Sequence, residues 1–557
     1  MQPIRRHGPV ALTAYVLVAF ALVMAAPHTA RAEQVSVSSL RVCIDAGHGG
    51  IYSGATYAGV QEADINLGIA KRLASELRRR GIDARLTRSS DTRVYAGGAL
   101  RTWRFDETAG IYSYRYWPVE DASDRLSLDL QARADAANAS GADLFVSIHN
   151  NAAGSSAHGA EVWRSQNDPL GQRFGLDVQN GLIDATSATN RGVQTANFYV
   201  LRWSNVPAVL AECGFISNSG ERARLRTASY QNTVARGIAD GIQAFASRPV
   251  NEPYQRIWGQ TRYDTASAVS VRQWPTGAAA VVLVSGEDFP DALVAAPLAA
   301  KLGAPIITTA RSGLAPSVAA ELRRLAPRRI VVIGGEVSVP PEVAEQAALA
   351  AGIASSTVER LGGQNRYEVS LAVARAVESS TTTSVVIASG TGFADALSVA
   401  ASAAQRGEPI LLAGPEGLSA GELEFIDGET TRAVTVVGGP MSIPSEAMSG
   451  RPFSRLWGAN RYETNWAVFT ARYAEAARRR PVLVSGETFA DALVAGPSAA
   501  AQGRPMVLVG RTQVSQDLRP WVYGTRNATL DVDVVGGPAS VSAYVSAMFE
   551  KMEMRSY

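Results

Sequence analysis

The chain has 557 residues, of which 46% are hydrophobic, and a formal net charge of +2. This length exceeds what one hydrophobic core supports and predicts several domains of about 100–200 residues each. The near-zero charge gives no indication of a nucleic-acid partner, because binding to phosphate backbones requires an excess of clustered basic residues.

Residues 1–32 have the pattern of a secretory signal. Arg5 and Arg6 precede an apolar run over residues 10–26, and Ala30-Arg31-Ala32 fits a small-x-small cleavage site before Glu33. The apolar run is short for a membrane span of about 20 residues. We therefore predict a cleaved signal and a secreted mature protein without a stable membrane anchor. Its net charge becomes −1, because three arginines and no acidic residue leave with the signal.

Strand-like runs alternate with helical patterns between residues 40 and 247. One helical pattern places Ile65, Ile69, Leu73 and Leu77 four residues apart on one face. Such alternation predicts an α/β domain built on a mostly parallel sheet. The predicted strands cover 41–45, 82–87, 144–148, 159–164, 197–201 and 208–213, and the predicted helices cover 64–80, 126–139 and 230–245.

The alternation stops between residues 93 and 124. This segment is rich in aromatic residues and arginine and has no clear period. A wall of a substrate groove is one interpretation. We favour the other, which is a long surface loop folded on its own aromatic side chains.

The chain beyond a proline-containing linker at 248–255 is internally repeated. An Arg-Tyr pair begins each copy, at Arg262, Arg366 and Arg461. Each pair is followed by a strand with a Ser-Gly turn, a Phe-x-Asp-Ala-Leu sequence, and a last strand with a Gly-Gly turn. This recurrence of the same segments predicts three copies of one small α/β unit. We place the first domain at 40–247 and the repeats at 256–350, 351–450 and 451–557.

Four residues that can carry chemistry stand at predicted strand ends or at a helix start. His48 follows one strand, His149 ends another, Glu62 begins a helix, and Glu212 lies near the end of a third strand. The carboxyl ends of parallel strands meet at one edge of a sheet. Two histidines and a carboxylate are a common catalytic zinc set with a fourth position open for water, and a second carboxylate can act as base. Position alone leaves open which glutamate is the ligand.

Four segments in chain order carry a resemblance to a known family. They are residues 44–50 (IDAGHGG), Glu62 at its helix start, 146–152 (VSIHNNA) and 209–218 (VLAECGFISN), and the sequence NRGV at 190–193 also fits. Together they resemble the zinc-dependent N-acetylmuramoyl-L-alanine amidases of the amidase-3 type.

The resemblance implies a role for each of the four residues. Zinc would be bound by His48, Glu62 and His149, and Glu212 would be the catalytic base. The implied reaction is hydrolysis of the amide that joins the lactyl group of N-acetylmuramic acid to L-alanine in peptidoglycan. Two alternatives stay open, which are a zinc peptidase that cuts the stem peptide and a wall-anchored adhesin or structural surface protein with an inactive amidase domain.

The three repeats resemble the type 2 cell-wall-binding repeats of bacterial surface proteins. The resemblance implies noncovalent attachment to anionic wall polymers, and a purely structural or adhesive role is the alternative. The repeated residues Asp291, Asp395 and Asp491 precede helical Ala-Leu pairs, so we predict that they are N-caps.

Several further residues have simpler predicted roles. Cys43 and Cys213 lie in strand-like runs and form either a disulfide between neighbouring strands or two buried thiols. Asp45 is a candidate for orienting a metal ligand without binding the metal itself. His158 lies in a flexible, exposed loop, and Gly49 with the next glycine forms a bend that keeps the backbone clear of the ligands.

Overall fold

The computed structural model describes residues 40–94, 100–106, 111–117, 122–166, 168, 170–247, 255–428, 432–515, 518, 521 and 530–549, with the backbone alone at 100–106, 111–117 and 122–125. The predicted signal at 1–32 and most of the predicted linker lie outside these ranges. Within them, no helix combines the length and apolar character that crossing a membrane requires.

The first domain is an α/β unit. Its strands are β1 (Arg41–Ala46), β2 (Thr56–Tyr57), β3 (Val60–Gln61), β4 (Asp83–Leu86), β5 (Leu100–Asp106), β6 (Ile111–Trp117), β7 (Leu144–Asn151), β8 (Ala160–Arg164), β9 (Asn190–Thr195) and β10 (Ala208–Phe215). Its helices are α1 (Glu62–Arg79), α2 (Ala122–Ala139), α3 (Gly171–Thr186), α4 (Tyr199–Arg202), α5 (Ser219–Leu225) and α6 (Ala228–Ser247).

Six of these strands form one sheet in the order β4-β1-β7-β10-β8-β9. All neighbours are parallel except β10 and β8, which confirms the prediction of a mostly parallel sheet. Helices α1, α3 and α6 bury the apolar side chains of one sheet face, and α2 and α4 cover the other. The central strands β1, β7 and β10 are buried at nearly every position because the sheet is covered on both faces.

Two predictions for this domain are wrong. The predicted strand at 197–201 is instead the helical turn α4, because Val200 and Leu201 bury one side of a turn against α2. A short run of strand-prone residues fits either structure. The segment at 93–124 contains the regular antiparallel hairpin β5–β6, paired from Leu100↔Trp117 to Asp106↔Ile111, and is therefore not an irregular loop over that stretch.

The two cysteines are free and buried. Cys43 lies in β1 and packs on the α2 side of the sheet, whereas Cys213 lies in β10 and packs on the opposite side. Strand β7 separates β1 from β10, which puts the cysteines two strand spacings, or about 10 Å, apart. A disulfide needs Cα atoms within about 7 Å, so of the two predicted options the structure has the buried thiols.

The remainder of the described chain consists of the repeats. Their strands are β11 (Gln255–Ile257), β12 (Ala280–Ser285), β13 (Ile306–Thr309), β14 (Arg329–Ile333), β15 (Val358–Leu361), β16 (Ser384–Ser389), β17 (Ile410–Ala413), β18 (Ala433–Val437), β19 (Ser454–Leu456), β20 (Val482–Ser485), β21 (Met506–Val509) and β22 (Asp533–Val535). Their helices are α7 (Arg262–Gln273), α8 (Ala295–Lys301), α9 (Pro316–Leu325), α10 (Pro341–Ala351), α11 (Arg366–Val377), α12 (Ala394–Arg406), α13 (Ala420–Asp427), α14 (Arg461–Arg472), α15 (Glu475–Arg478), α16 (Ala490–Ala501) and α17 (Ala543–Ala547), with 3-10 turns at Asp291–Val294, Ser355–Thr357 and Ser445–Met448.

The repeats close into a ring by exchanging strands. Each repeat contributes three parallel strands to a four-stranded sheet, and the fourth strand comes from the start of the next repeat. In the third sheet this strand is β11, which begins the first repeat and pairs with β22. An arginine in each exchanged strand donates to the Gly-Gly turn of the sheet it joins. These bonds are Arg256 to the Gly536 oxygen, Arg360 to the Gly334 oxygen and Arg455 to the Gly438 oxygen, at 2.8, 2.9 and 2.7 Å.

The centre of the ring is apolar. Helices α8, α12 and α16 share one hydrophobic core, and the rings of Phe289, Phe393 and Phe489 lie 5.7–6.4 Å apart. The aspartates that follow these phenylalanines lie inside the first helical turn and do not cap it, so the N-cap prediction is wrong. Their carboxylates instead lie against the Gly-Gly turn of their own repeat.

The third repeat packs on the first domain. The ring of Tyr544 in α17 stacks on Phe245 of α6, with centroids 5.5 Å apart, and α17 shares the core of α3 and α6. Arg511 forms an ion pair with Asp143 at 3.1 Å, at the amino end of β7. The contact therefore lies at the edge of the sheet opposite the carboxyl ends of its parallel strands.

Candidate active site

The structure brings His48, Glu62 and His149 together at the carboxyl edge of the sheet. One nitrogen of each histidine and a carboxylate oxygen of Glu62 lie within 4.8 Å of one another. Glu62 stands between the imidazoles, with Oε2 at 3.2 Å from Nε2 of His48 and Oε1 at 3.0 Å from Nδ1 of His149. The two imidazole rings meet edge to face with centroids 4.9 Å apart.

Glu62 is held by groups from three directions. As the first residue of α1 it lies where the helix dipole favours a negative charge. The backbone amides of Ala55 and Asn150 donate to its carboxylate at 3.0 and 3.2 Å, and Asn66 donates at 3.2 Å. Burial opposes ionisation of Glu62, but the hydrogen bonds and charges of the two histidines outweigh it and lower the pKa of Glu62 far below its usual value. This side chain is therefore a fixed carboxylate.

His48 occupies a strained position that buried charges stabilise. Its φ is +63°, in the left-handed region that non-glycine residues seldom adopt. Arg133 of α2, which is 1% exposed, donates to the backbone oxygen of His48 at 2.7 Å and to the Asp45 carboxylate at 2.8 Å. Burial alone would raise the pKa of Asp45, but Arg133 and hydrogen bonds from Thr87 and Ser147 outweigh it and lower that pKa. Asp45 thus acts on the turn through Arg133.

Two glycines make room for the ligands. A Cβ at Gly47 would overlap the imidazole of His149, and a Cβ at Gly54 would overlap Glu62 and His48. Gly49, which we expected to clear the ligands, lies instead against the Thr92 backbone and the Arg88 side chain. The close approach to the ligands is made by the glycines before and after the predicted pair.

Glu212 lies beside His149 on the neighbouring strand, in direct register. One of its oxygens, Oε2, is fully buried and has no hydrogen-bond partner among the described residues. Burial, together with the negative charges of Glu62 and Glu161, raises the pKa of Glu212 well above its usual value. A carboxylate with a raised pKa takes up a proton readily, as a general base must. Cys213 next to it points to the other sheet face, and burial raises the pKa of this thiol, so it is no nucleophile.

A second buried glutamate was not identified from the sequence. Glu161 of β8 lies opposite Glu212 in register and is 4% exposed. Its carboxylate accepts from Asn151 at 2.7 Å, from Trp163 at 3.2 Å and from Arg191 at 2.7 Å. The only sequence signal was the NRGV segment that contains Arg191. Among the residues that the structure describes, Glu161 accepts three hydrogen bonds whereas Oε2 of Glu212 accepts none, so the two glutamates are suited to different roles.

The residues present fit a divalent metal ion. Two imidazole nitrogens and a carboxylate oxygen converge, hydrogen bonds from Ala55, Asn66 and Asn150 hold the carboxylate, and small glycines border the set. Nitrogen and carboxylate donors in this number are typical of catalytic zinc. His158 lies in an exposed loop away from this set, as predicted.

Comparison with known proteins identifies two families in the chain. The family described as N-acetylmuramoyl-L-alanine amidase matches residues 42–244. The family described as cell wall binding domain 2 matches residues 256–344, 360–448 and 455–546. The first match contains all four candidate site residues, and the three others coincide with the observed repeats.

The chain is also similar to individual proteins. The protein YqiI of Bacillus subtilis (strain 168), described as uncharacterised, is 35% identical over 207 residues, which are 37% of this chain and 84% of that protein. The N-acetylmuramoyl-L-alanine amidase LytC of the same organism is 28% identical over 52% of this chain and 57% of its own length. The solved structure of Cwp6 from Clostridium difficile is 27% identical over 54% of this chain and 48% of that one, with a TM-score of 0.48. The chain thus spans about half the length of these last two proteins.

Proposed function

The chain belongs to the N-acetylmuramoyl-L-alanine amidase family and carries three cell wall binding repeats, and from this premise we propose how its own residues perform peptidoglycan hydrolysis. The chain is a secreted, wall-associated hydrolase with this amidase activity. We infer that His48, Glu62 and His149 hold a zinc ion and that Glu212 is the catalytic base. The observation that carries this assignment is the buried Oε2 of Glu212, which has no hydrogen-bond partner in the described part of the chain and lies beside the three converging ligands.

His48, Glu62 and His149 would hold the zinc ion, which would supply Lewis-acid chemistry at the amide carbonyl and at water. The protein contributes proton transfer and orientation. Glu212 takes a proton from the attacking water and delivers it to the amide nitrogen as the carbon–nitrogen bond breaks. The products are the lactyl carboxylate on the glycan and a free amino group on L-alanine. Glu161 accepts hydrogen bonds from Arg191, Asn151 and Trp163 and takes no part in this transfer.

We further propose that the repeats hold the enzyme on anionic wall polymers. We keep the predicted division into a signal at 1–32, a catalytic domain at 40–247, a linker at 248–255 and repeats at 256–350, 351–450 and 451–557. The sheets cross these boundaries, because β15 and β19 each complete the sheet of the preceding repeat. Since the ring is closed, we expect the three repeats to act as one binding unit.

Mass spectrometry of digested peptidoglycan tests the proposed function. Purified full-length protein is incubated with cell-wall fragments, with and without a chelator, and zinc is then added back. We expect free N-terminal L-alanine, intact glycan chains, loss of activity with the chelator and recovery with zinc. New ends within the stem peptide would instead support a peptidase.

Glu212→Gln provides the matched variant for the same assay. It should retain wall binding and lose hydrolysis. If wall fragments are cleared equally by the wild type and by this variant, Glu212 is not the base. Retention of the protein on purified walls after removal of residues 256–557 would contradict the proposed role of the repeats.

A further inference from the structure

A guanidinium group stands fixed at the border of the active site. Arg191 donates through Nε to Glu161 at 2.7 Å, and its Cζ lies 4.8 Å from the ring centroid of Phe215. Both supports are rigid, since Glu161 is buried and accepts from Asn151 and Trp163, and Phe215 is 2% exposed. The Arg191 side chain is nevertheless 41% exposed. Among the described residues, neither Nη nitrogen has a hydrogen-bond partner.

A β-bulge sets the direction of the Arg191 side chain. Strand β9 pairs with β8 at Asn190↔Ala160 and again at Val193↔Val162, so β9 has one extra residue between these pairs. Gly192 takes up the bend with a φ of +81°, and its amide donates to the Asn190 side chain at 2.9 Å. Bulges of this kind redirect side chains next to active sites. Here the bulge places Arg191 on the Glu161 carboxylate.

The fixed group lies close to the reacting residues. Glu161 is the direct cross-strand neighbour of Glu212, which is itself in register with His149. Opposite residues on one sheet face have Cβ atoms about 5 Å apart. Phe215, on which Arg191 stacks, ends the strand that carries Glu212. The Arg191 guanidinium therefore lies on the direct cross-strand neighbour of Glu212, and its side chain is exposed to solvent.

We propose that Arg191 binds a carboxylate of the peptide stem and so sets the enzyme's preference for acidic stems. This inference rests on the proposed function. The glycan side of the scissile amide carries no carboxylate, because the lactyl carboxyl group is consumed in that amide, whereas the peptide side does. A guanidinium fork binds a carboxylate through two parallel hydrogen bonds. Glu161 uses Nε and keeps the planar group oriented, which leaves the Nη edge for substrate.

The test compares two substrates and two variants in the full-length protein. The substrates are N-acetylmuramoyl-L-alanyl-D-glutamic acid and its diamide. For the wild type we expect kcat/KM to be about tenfold or more higher for the acid, as charge-assisted bonds support. Arg191→Gln should reduce this preference ratio to about one, and Arg191→Lys should give an intermediate ratio. Arg79→Gln, which removes an exposed arginine at the far end of α1, is the control that keeps the ratio.

If Arg191→Gln reduced kcat/KM equally for both substrates, the proposal would be overturned, because Arg191 would then only neutralise Glu161. Equal kcat/KM of the wild type for the two substrates would also overturn it. A binding arm separates this result from failure of the proposed function. Titration of L-alanyl-D-glutamate into wild type and Arg191→Gln should show about tenfold weaker binding to the variant even if neither substrate is hydrolysed. Equal affinity in this arm contradicts the inference on its own.

Discussion

Arg133 and His48 are joined by a hydrogen bond of 2.7 Å from a buried guanidinium to the backbone oxygen of a left-handed residue. Arg133 also neutralises Asp45 and bonds to Asp129. Replacing Arg133 by Met would leave Asp45 charged and buried without its partner, which costs about 3–5 kcal/mol of stability. The loosened His48 turn should also reduce zinc affinity about 10- to 100-fold.

Urea unfolding and competition with a chelator measure the two effects of Arg133→Met. Arg79→Met is the matched control, because its side chain is 71% exposed and its ion pair with Glu76 lies at the surface. Wild-type stability and zinc affinity in Arg133→Met would show that the buried network does not support the metal site.

The stacking of Tyr544 on Phe245 predicts that the third repeat stabilises the catalytic domain. Tyr544→Ala leaves a cavity in the shared core and should lower the free energy of unfolding by about 3 kcal/mol or more. Tyr544→Phe is the control. The hydroxyl is buried without a partner among the described residues, so its removal should leave stability unchanged or raise it by about 1 kcal/mol.

Unfolding in denaturant, with the loss of amidase activity as the measured signal, tests Tyr544→Ala and Tyr544→Phe. If Tyr544→Ala lowers only the stability of the repeats and the activity midpoint does not move, the two parts are energetically independent.

The carboxyl of Asp395 predicts a pH effect in the repeats. Burial raises its pKa to about 6, against an opposing influence of Arg461. Because this value exceeds that of an unfolded aspartate, the folded state binds the proton more tightly. The stabilisation is present below about pH 4 and is lost as pH rises to about 6, with an upper limit of about 3 kcal/mol before solvent screening.

Asp395→Asn removes this titration. Thermal unfolding at pH values from 4 to 7 should show that the stability difference, variant minus wild type, grows with pH up to about 6 and is constant above it. Asp288→Asn, at an exposed position, is the control and should follow the wild-type profile. A constant difference for Asp395→Asn across this range would contradict the assignment.

The separation of Cys43 from Cys213 predicts two unreactive thiols. Burial raises the pKa of Cys43 to about 12, and that of Cys213 is raised further. Since the thiolate is the reactive form, a thiol reagent should label neither cysteine in the folded protein. Two equivalents should react after unfolding without reductant, and their absence would reveal a disulfide.

Much of the fold was predictable because its signals are local. The alternation of strand-like and helical patterns predicts the parallel sheet. The ends of the strands and a helix start predict the site residues His48, His149, Glu62 and Glu212, which the structure places at one edge of the sheet. The recurring Arg-Tyr and Gly-Gly segments gave the three repeats. The sequence does not predict helix α3, and it predicts a strand where α4 lies because the few apolar residues there fit both periods.

The relationships that were not predictable join residues far apart in the chain. Arg133 supports His48 across 85 positions, and Arg191 reaches Glu161 across 30. Neither residue has a local pattern that distinguishes it from a surface arginine. The ring closure through β11 likewise depends on pairing with β22 at the other end of the repeats.

Zinc content and amide hydrolysis, measured on the same preparations of wild type, Glu212→Gln and His149→Ala, test the central claim most directly. We predict one zinc per chain and full hydrolysis for the wild type. Glu212→Gln should retain the zinc with a rate at least about 100-fold lower, and His149→Ala should lose both zinc and hydrolysis. Wild-type turnover by Glu212→Gln, or full zinc content in His149→Ala, would contradict the account.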